Sequence, residues 1–145
     1  MTLALSVPVS VSADTGQEQV PRHKRRALLA LDGTRLTPML LVAALAISVQ
    51  LTDRLDVLLV NPPKAPTTLL RGLLLRLEHS GIDYRLASTE GDVGEQVLHY
   101  LNRFQGVTQV LVDSLPSLEQ GMGTRLAELR SKGYRFIGLS DPARA

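Results

Sequence analysis

Five apolar runs, each separated from the next by room for a helix, organise the chain from about residue 25 to residue 140. Short apolar runs bounded by turn residues are typical of buried strands. The regular alternation of strands and helices predicts an α/β domain with an open, mostly parallel sheet. Right-handed crossovers would place helices on both faces of that sheet. The predicted strands are Ala27–Leu31, Asp56–Val60, Ile82–Ser88, Thr108–Val112 and Tyr134–Leu139.

The first two gaps between these strands carry clear helix signals. Thr37 is a suitable N-cap and Pro38 suits the first helical position, so the first helix begins there and runs to about residue 52. Its alanines are expected to let it pack closely on the sheet: Ala43, Ala44 and Ala46. The second helix begins between residues 66 and 68. Its apolar stripe recurs at helical spacing and consists of Leu70, Leu73, Leu74 and Leu77.

The last two gaps are also predicted to be helical. Asp92 and Glu95 form a capping-box-like start for the third helix, which ends before Gly106. A single fourth helix is predicted around Thr124–Lys132, with Gly133 as its stop. The third strand alternates between apolar and polar residues, so we expect it at an edge of the sheet with one wetter face.

Composition narrows the function classes. Of the 145 residues, 44% are hydrophobic and 3% aromatic, and there is no Trp and no Cys. One domain with a substantial core is expected, and thiolate metal sites and Cys nucleophiles are excluded. The formal net charge is +2 with both signs interspersed, which argues against nucleic acid and an anionic membrane as partners. The longest apolar run, Met39–Val49, is about half of the ~20 residues that a membrane-spanning helix needs, and we expect a cytoplasmic protein.

The chain divides into a short tail and one folded domain. Residues 1–24 are rich in Ser, Val, Thr and Gln and contain two prolines, which predicts a flexible tail. Residues 25–145 contain all of the predicted strands and helices. The tail ends in the basic run Arg22–Arg26, and a solvated lead-in to the first strand is its simplest interpretation.

Three short segments, in their order and spacing, make the chain resemble the universal stress protein family over about residues 25–140. The segment Leu29–Thr34 (LALDGT) resembles the family's first strand and turn. The segment Gly81–Val93 resembles its third strand and the start of its third helix, and Gly123-Thr124 resembles the entry to its fourth helix. The resemblance implies a Rossmann-like, five-stranded sheet in the order 3-2-1-4-5 and a regulatory role in a stress response.

The phosphate-binding loop of that family's ATP-binding members is missing from this chain. Those members carry G-x-x-G after the fourth strand, whereas residues 113–116 here read DSLP, and only six residues separate them from Gly123. Backbone N–H groups close around a phosphate only where no side chain intervenes. Pro116 removes one N–H, and Asp113 would place a carboxylate beside the phosphates. We therefore expect ATP binding to be weak or absent, and no other cofactor.

A vestigial nucleotide site is still implied by the resemblance. Asp32 and the backbone of Val60 match the positions that meet the nucleoside in that family. Gly123 and Thr124 match the positions that meet the phosphates, at the start of a helix where N–H groups are free. These four residues are the predicted nucleotide-binding set.

The last strand is predicted to support a homodimer. It is six residues long, has no Pro and carries one charge, and an exposed edge of that kind is a template for pairing. In the family that the chain resembles, this strand pairs with its twin across a two-fold axis. The predicted interface consists of Arg135, Phe136, Ile137 and Leu139. A further protein partner is expected, whose identity the sequence leaves open.

Three functional interpretations follow from the sequence. The favoured one is a non-catalytic, homodimeric regulatory or binding module with no catalytic or metal-binding residues. The first alternative is an ATP-binding universal stress protein with an atypical phosphate loop. The second is a phospho-receiver-like protein or a Mg²⁺-dependent enzyme that uses Asp113, which is expected to share a sheet edge with Asp32.

Overall fold

A computed structural model describes residues 26–64 and 68–140 of the chain. The predicted tail of residues 1–24 and its basic run lie outside the described residues, apart from Arg26. Strands and helices alternate as the sequence predicts, with one additional helix before the last strand. The elements are β1 (Arg26–Asp32), α1 (Pro38–Leu51), β2 (Arg54–Val60), α2 (Thr68–His79), β3 (Asp83–Thr89), α3 (Val93–Arg103), β4 (Val107–Val112), α4 (Leu115–Met122), α5 (Arg125–Ser131) and β5 (Arg135–Gly138).

The five strands form one sheet in the order β3-β2-β1-β4-β5, and every pair of neighbours is parallel. The predicted strand order and the Rossmann-like α/β class are therefore confirmed. In the register of β1 and β2, Asp32 lies opposite Val60, and Ala30 lies opposite Val112 of β4. The carboxyl ends of the three central strands consequently meet at one edge of the sheet.

Helices cover both faces of the sheet, and the core has two halves. The first face, which we define by α1 and α2, buries alternate residues of the central strands, such as Leu29 and Val57. The second face, defined by α3, α4 and α5, buries their neighbours, such as Leu28 and Leu58. Because both faces are covered, β1 shows five consecutive buried residues.

The first and third helices begin where their caps predict. The Thr37 side chain accepts a hydrogen bond from the N–H of Leu40, and the Asp92 side chain accepts one from Glu95. The edge position of β3 is also confirmed, since none of its seven residues is fully buried. Ile82, just before this strand, closes the core there.

Two sequence predictions about helices are wrong. The segment between β4 and β5 holds two helices rather than one, because α4 begins directly after Ser114 and ends at Gly123, whose φ of +60° breaks the helix. In α1, only Ala44 of the three alanines is fully buried, whereas Ala46 is exposed. The helix rests on the sheet along the line of Leu40, Leu41 and Ala44, so Ala46 points away from it.

The last strand is shorter than predicted. Its ladder with β4 runs from Arg135 to Gly138, so Tyr134 and Leu139 lie outside the strand. Among the described residues, no helix is long and apolar enough to cross a membrane.

Candidate functional site

The carboxyl edge of the sheet brings the predicted Asp32 and Asp113 together. Both are half-buried and line one small crevice between the loops after β1 and β4. Ligands of open α/β sheets bind at such a point, where neighbouring strands connect in opposite directions. Here the crevice holds only about 30 Å³, roughly the space of one water molecule. Helix α4 starts beside it and contributes Ser114 and Ser117 to its wall.

Each of the two carboxylates already has a hydrogen-bond partner within the fold. Asp32 Oδ1 accepts hydrogen bonds from the N–H of Thr34 at 2.9 Å and from its hydroxyl at 2.7 Å. Asp113 Oδ1 accepts one from the hydroxyl of Ser140 at 2.6 Å. The Asp32 bonds are typical of a side chain that stabilises its own turn, whereas the Asp113 bond joins the loop after β4 to the segment just after the last strand, 27 positions away.

Gly33 is required by a close backbone contact rather than by a phosphate. A Cβ on Gly33 would lie 2.3 Å from the carbonyl oxygen of Asn61. The N–H of Gly33 donates to the carbonyl of Val60 at 2.7 Å, so the loops after β1 and β2 are joined directly. The backbone of Val60, which the resemblance assigns to the nucleoside, therefore already uses its carbonyl in a hydrogen bond inside the fold.

The predicted phosphate contacts are not among the residues that line the crevice. Gly123 is the C-cap of α4, and Thr124 lies in helical conformation before α5. Eight residues of α4 thus separate them from Ser114 at the crevice. The described structure brings Asp32 and Asp113 together but gives Gly123 and Thr124 no part in the same pocket.

The four residues predicted for a dimer interface divide between core and surface. Phe136 and Leu139 belong to the core, with 9% and 3% of their surfaces exposed. Arg135 is exposed and Ile137 is half-buried. Phe136 packs in the second-face core and Leu139 in the first-face core.

A wider open pocket lies elsewhere, between β3 and α3 on the second face. We call it the β3–α3 cleft, and its volume is about 440 Å³, which is in the usual range for small-molecule sites. One wall is the edge strand, and the other is a row of side chains from α3 and the residue that follows it. The lining comprises Leu58, Arg85, Leu86, Ala87, Ser88, Thr89, Gln96, His99, Tyr100, Arg103 and Phe104.

A buried carboxylate lies behind this cleft and holds two of its lining residues, Arg85 and Tyr100. Asp56 of β2 is 1% exposed and pairs with Arg26 of β1 at 2.7 Å. Two nitrogens of Arg85 on β3 also donate to it, at 3.2 Å and 3.0 Å. The hydroxyl of Tyr100 donates to Oδ2 of Asp56. Residues of three adjacent strands and α3 thus meet in one polar cluster, which we call the Asp56 cluster.

The Asp56 cluster shifts the pKa values of its members. Burial alone would raise the pKa of Asp56, but hydrogen bonds from Arg85, Tyr100 and Arg26 outweigh it and hold the pKa below its ordinary value. Burial and the hydrogen bond to the Asp56 carboxylate raise the pKa of Tyr100 to about 12. Asp56 is therefore ionised and Tyr100 protonated at neutral pH.

The Asp56 cluster and the adjoining cleft together carry more positive than negative charge. Within the cluster, one carboxylate is shared by two guanidinium groups, those of Arg26 and Arg85. Arg103 adds another, and it forms no ion pair with any residue in the described ranges. The guanidinium carbons of Arg85 and Arg103 each lie 5.5 Å from the centre of the Phe104 ring. Two cations thus flank one aromatic ring, which is a suitable surface for a small anion with a planar body.

Sequence reasoning misses this cleft, although the sequence carries a signal of it. Asp56 is an acidic residue inside an otherwise apolar strand, and a buried carboxylate requires partners. Those partners are 29, 30 and 44 positions away in sequence, so only the strand register identifies them. Among the described residues, no group of three or more potential metal ligands comes together.

Comparisons with known proteins add no relative. No family model matches the chain. No curated protein and no solved structure matches it either.

Proposed function

We propose that this chain is a non-catalytic regulatory or binding module of the universal-stress-protein type, and that its ligand is a small organic anion held in the β3–α3 cleft. The observation that carries the proposal is the lining of that cleft. It presents Arg85, Arg103 and His99 around the aromatic surface of Tyr100 and Phe104, and no carboxylate is among the described residues that line it. Asp56, which lies behind them, is buried and already paired.

The geometry supports an anion with a planar group rather than a simple inorganic ion. The guanidinium groups beside Phe104 can pair with the negative charge of a ligand, and the Phe104 ring can stack against its planar group. Thr89 and Gln96, which hydrogen bond to each other at 3.0 Å, place polar atoms farther along the lining. A phosphorylated or carboxylated aromatic compound combines these properties.

Weak or absent ATP binding at the carboxyl edge is part of the same proposal. The crevice beside Asp32 and Asp113 holds about 30 Å³, far below the roughly 300 Å³ at which ligand pockets usually begin. The N–H groups of a Gly-rich loop are replaced there by the first turn of α4. We also propose that the module works as a homodimer in the cytoplasm, with a further protein as its regulatory partner.

The test uses phenyl phosphate as the probe and the complete chain as the protein. Chemical shifts of backbone amides are followed by NMR during titration at low ionic strength, with benzyl alcohol as the neutral comparison. We expect saturable shifts in β3 and α3 with phenyl phosphate, smaller shifts with benzyl alcohol, and weakening as salt is added. Arg103 forms no ion pair within the described residues, so Arg103→Gln removes a positive charge without breaking a salt bridge of the fold. The change should weaken binding about five- to tenfold, because an exposed hydrogen bond to a charged group contributes about 1.5 kcal/mol or less.

Arg130→Gln is the matched control. Arg130 is an exposed arginine of α5 and does not line the cleft, so this change should leave binding unaltered. Equal weakening by both variants would mean that net charge alone attracts the probe, and the proposal would fail. A parallel titration with ATP and Mg²⁺ separates the alternatives, because shifts near Asp32 and Val60 with tight binding would favour an ATP-binding protein with an atypical loop.

A further inference from the structure

Helix α1 presents an apolar stripe on the side that faces away from the sheet. Met39 is 84% exposed, Val42 68% and Val49 44%, and Ala46 is exposed between them. These four residues, which we call the outer stripe, follow the i, i+3, i+7, i+10 spacing of a helix seam. A helix that is apolar on all sides is usually buried on all sides.

A groove runs beside the outer stripe. It lies between α1 and α2, has a volume of about 330 Å³, and shares Val42 with the stripe. Gly72 of α2 opens its floor, because a Cβ built on Gly72 would meet no atom within 4 Å. Leu41, Leu45 and the other apolar residues of the groove leave Arg76 as its one charged lining residue within the described structure.

The surface is suited to a second copy of the same chain. Helix α1 has no charged residue in its 14 positions, so two copies can approach along it without repulsion between like charges. Ala46 and Val42 are small enough to let two such helices lie close together. In a two-fold contact each protomer offers both a projecting Met39 and an open groove, which satisfies the self-complementarity that such symmetry requires.

The size of the face makes it the central part of such a contact. A 14-residue helix is about 21 Å long, and two neighbouring helices are about 8–10 Å apart. The layer formed by α1 and α2 therefore measures about 20 Å by 20 Å, or about 400 Å² in projection, against about 600 Å² per partner in the smaller stable interfaces.

We infer that the outer stripe and the adjoining groove form the contact between two copies of this chain. The inference rests on the homodimer of the proposed function and moves its principal contact from β5 to α1. Two of the four residues predicted at β5, Phe136 and Leu139, are already buried in the protomer core. By contrast, Met39 and Val42 are the two most exposed large apolar side chains in the described residues.

The experiment measures the mass of the complete chain by size-exclusion chromatography with light scattering at micromolar concentration. We expect a dimer for the unmodified protein. Val42→Lys introduces like charges at the centre of the seam, and Gly72→Leu fills the groove at a position with space for a side chain. Both variants should be monomers with unchanged circular dichroism. Ala127→Lys, an exposed position of α5 on the second face, is the control and should remain a dimer.

Each other result overturns the inference. A monomeric unmodified protein refutes both this contact and the homodimer. A dimer that survives Val42→Lys and Gly72→Leu but is lost with Ile137→Pro in β5 keeps the homodimer and refutes the α1 contact. A monomer in which deletion of residues 1–24 raises amide exchange around Val42 would show that the chain's own tail covers the stripe. None of these outcomes alters phenyl phosphate binding, so the ligand proposal is tested separately.

Discussion

Replacing Asp56 by asparagine tests whether the Asp56 cluster holds the domain together. The substitution preserves the shape of the side chain and removes its charge. Asp56 is 1% exposed and accepts hydrogen bonds from Arg26, Arg85 and Tyr100. In the variant, an N–H₂ group replaces one of the two carboxylate oxygens. This group donates hydrogen bonds and does not accept them, so part of the cluster loses its acceptor.

The cost can be worked out contact by contact. A hydrogen bond to a charged group contributes about 1.5–3 kcal/mol when well shielded. The Arg26 side chain is 25% exposed, so its bond contributes near the lower figure, about 1.5 kcal/mol. Arg85 is 55% exposed, so water replaces much of its contact and its contribution is under about 1 kcal/mol. The Tyr100 hydroxyl adds about 1 kcal/mol.

The three contributions total about 3–3.5 kcal/mol, so the expected loss is about 2–2.5 kcal/mol after the remaining amide oxygen recovers about 1 kcal/mol. For a domain of this length each kcal/mol shifts the melting temperature by about 4 °C, so Asp56→Asn should melt about 10 °C lower. The matched control is Asp83→Asn at the start of β3. Asp83 is exposed and forms no ion pair within the described ranges, so its change should stay within about 0.5 kcal/mol.

The pH dependence supplies a second readout. The pKa of Asp56 is lower in the folded state than its ordinary value, which is about 3.9 in an unfolded chain. Its contribution to stability is therefore complete above about pH 5 and is lost as the pH falls through about 4 toward the folded pKa. The asparagine side chain of the variant does not titrate, so the gap in stability between the two proteins should narrow in acid.

Urea unfolding followed by far-ultraviolet circular dichroism measures both effects, since the chain has no Trp for fluorescence. The experiment is repeated at about pH 7, 5, 4 and 3, which brackets the titration of the carboxyl group. A free energy of unfolding for Asp56→Asn within about 0.5 kcal/mol of the unmodified protein at neutral pH would refute the assignment of a stabilising cluster. A gap that stays constant from neutral pH to the most acidic condition would refute the lowered pKa as its cause.

Three further predictions concern the cluster and the glycines. Tyr100→Phe should cost about 1–2 kcal/mol at neutral pH, and because the pKa of Tyr100 is raised to about 12, the difference should shrink as the pH rises from about 10 to 12 in equilibrium unfolding. Gly33→Ala should destabilise the domain by about 1–3 kcal/mol because its Cβ would meet the Asn61 backbone, and an unchanged urea midpoint would contradict that contact. Gly94→Ala should destabilise the domain by a similar amount, because α3 lies close to α4 at this position. Gly72→Ala on α2 should instead raise stability by about 0.5–1 kcal/mol, because its Cβ would lie in open space.

Local signals predict much of the fold. Thr37 and Asp92 cap their helices as the sequence indicates, because capping depends on residues three positions apart. Helix α5 matches the helix predicted around Thr124–Lys132, but α4 before it escapes sequence reasoning because the segment from Ser114 to Pro116 suggests a loop. Pro116 is in fact in the first turn of α4, where a missing N–H costs nothing.

Long-range contacts cannot be predicted in the same way. The sequence places Gly33 in a turn, but its close neighbour is Asn61, and no local pattern links the two. Phe136 and Leu139 are expected at an interface from the sequence, but whether they are buried depends on the helices packed over β5. Asp56 falls within a predicted strand, and its three partners become neighbours only after β1, β2, β3 and α3 have assembled.

The position of the β3–α3 cleft follows from the topology of the sheet. The chain leaves the edge strand β3 and must cross β2 and β1 before it pairs as β4, and the crossover helix α3 packs against β1. The second face of β3 is consequently left uncovered, which explains why none of its residues is fully buried. An open apolar face at this position would promote aggregation. Arg85, held by Asp56, instead places a positive charge on this face, and the anion that we propose as the ligand would bind at the same surface.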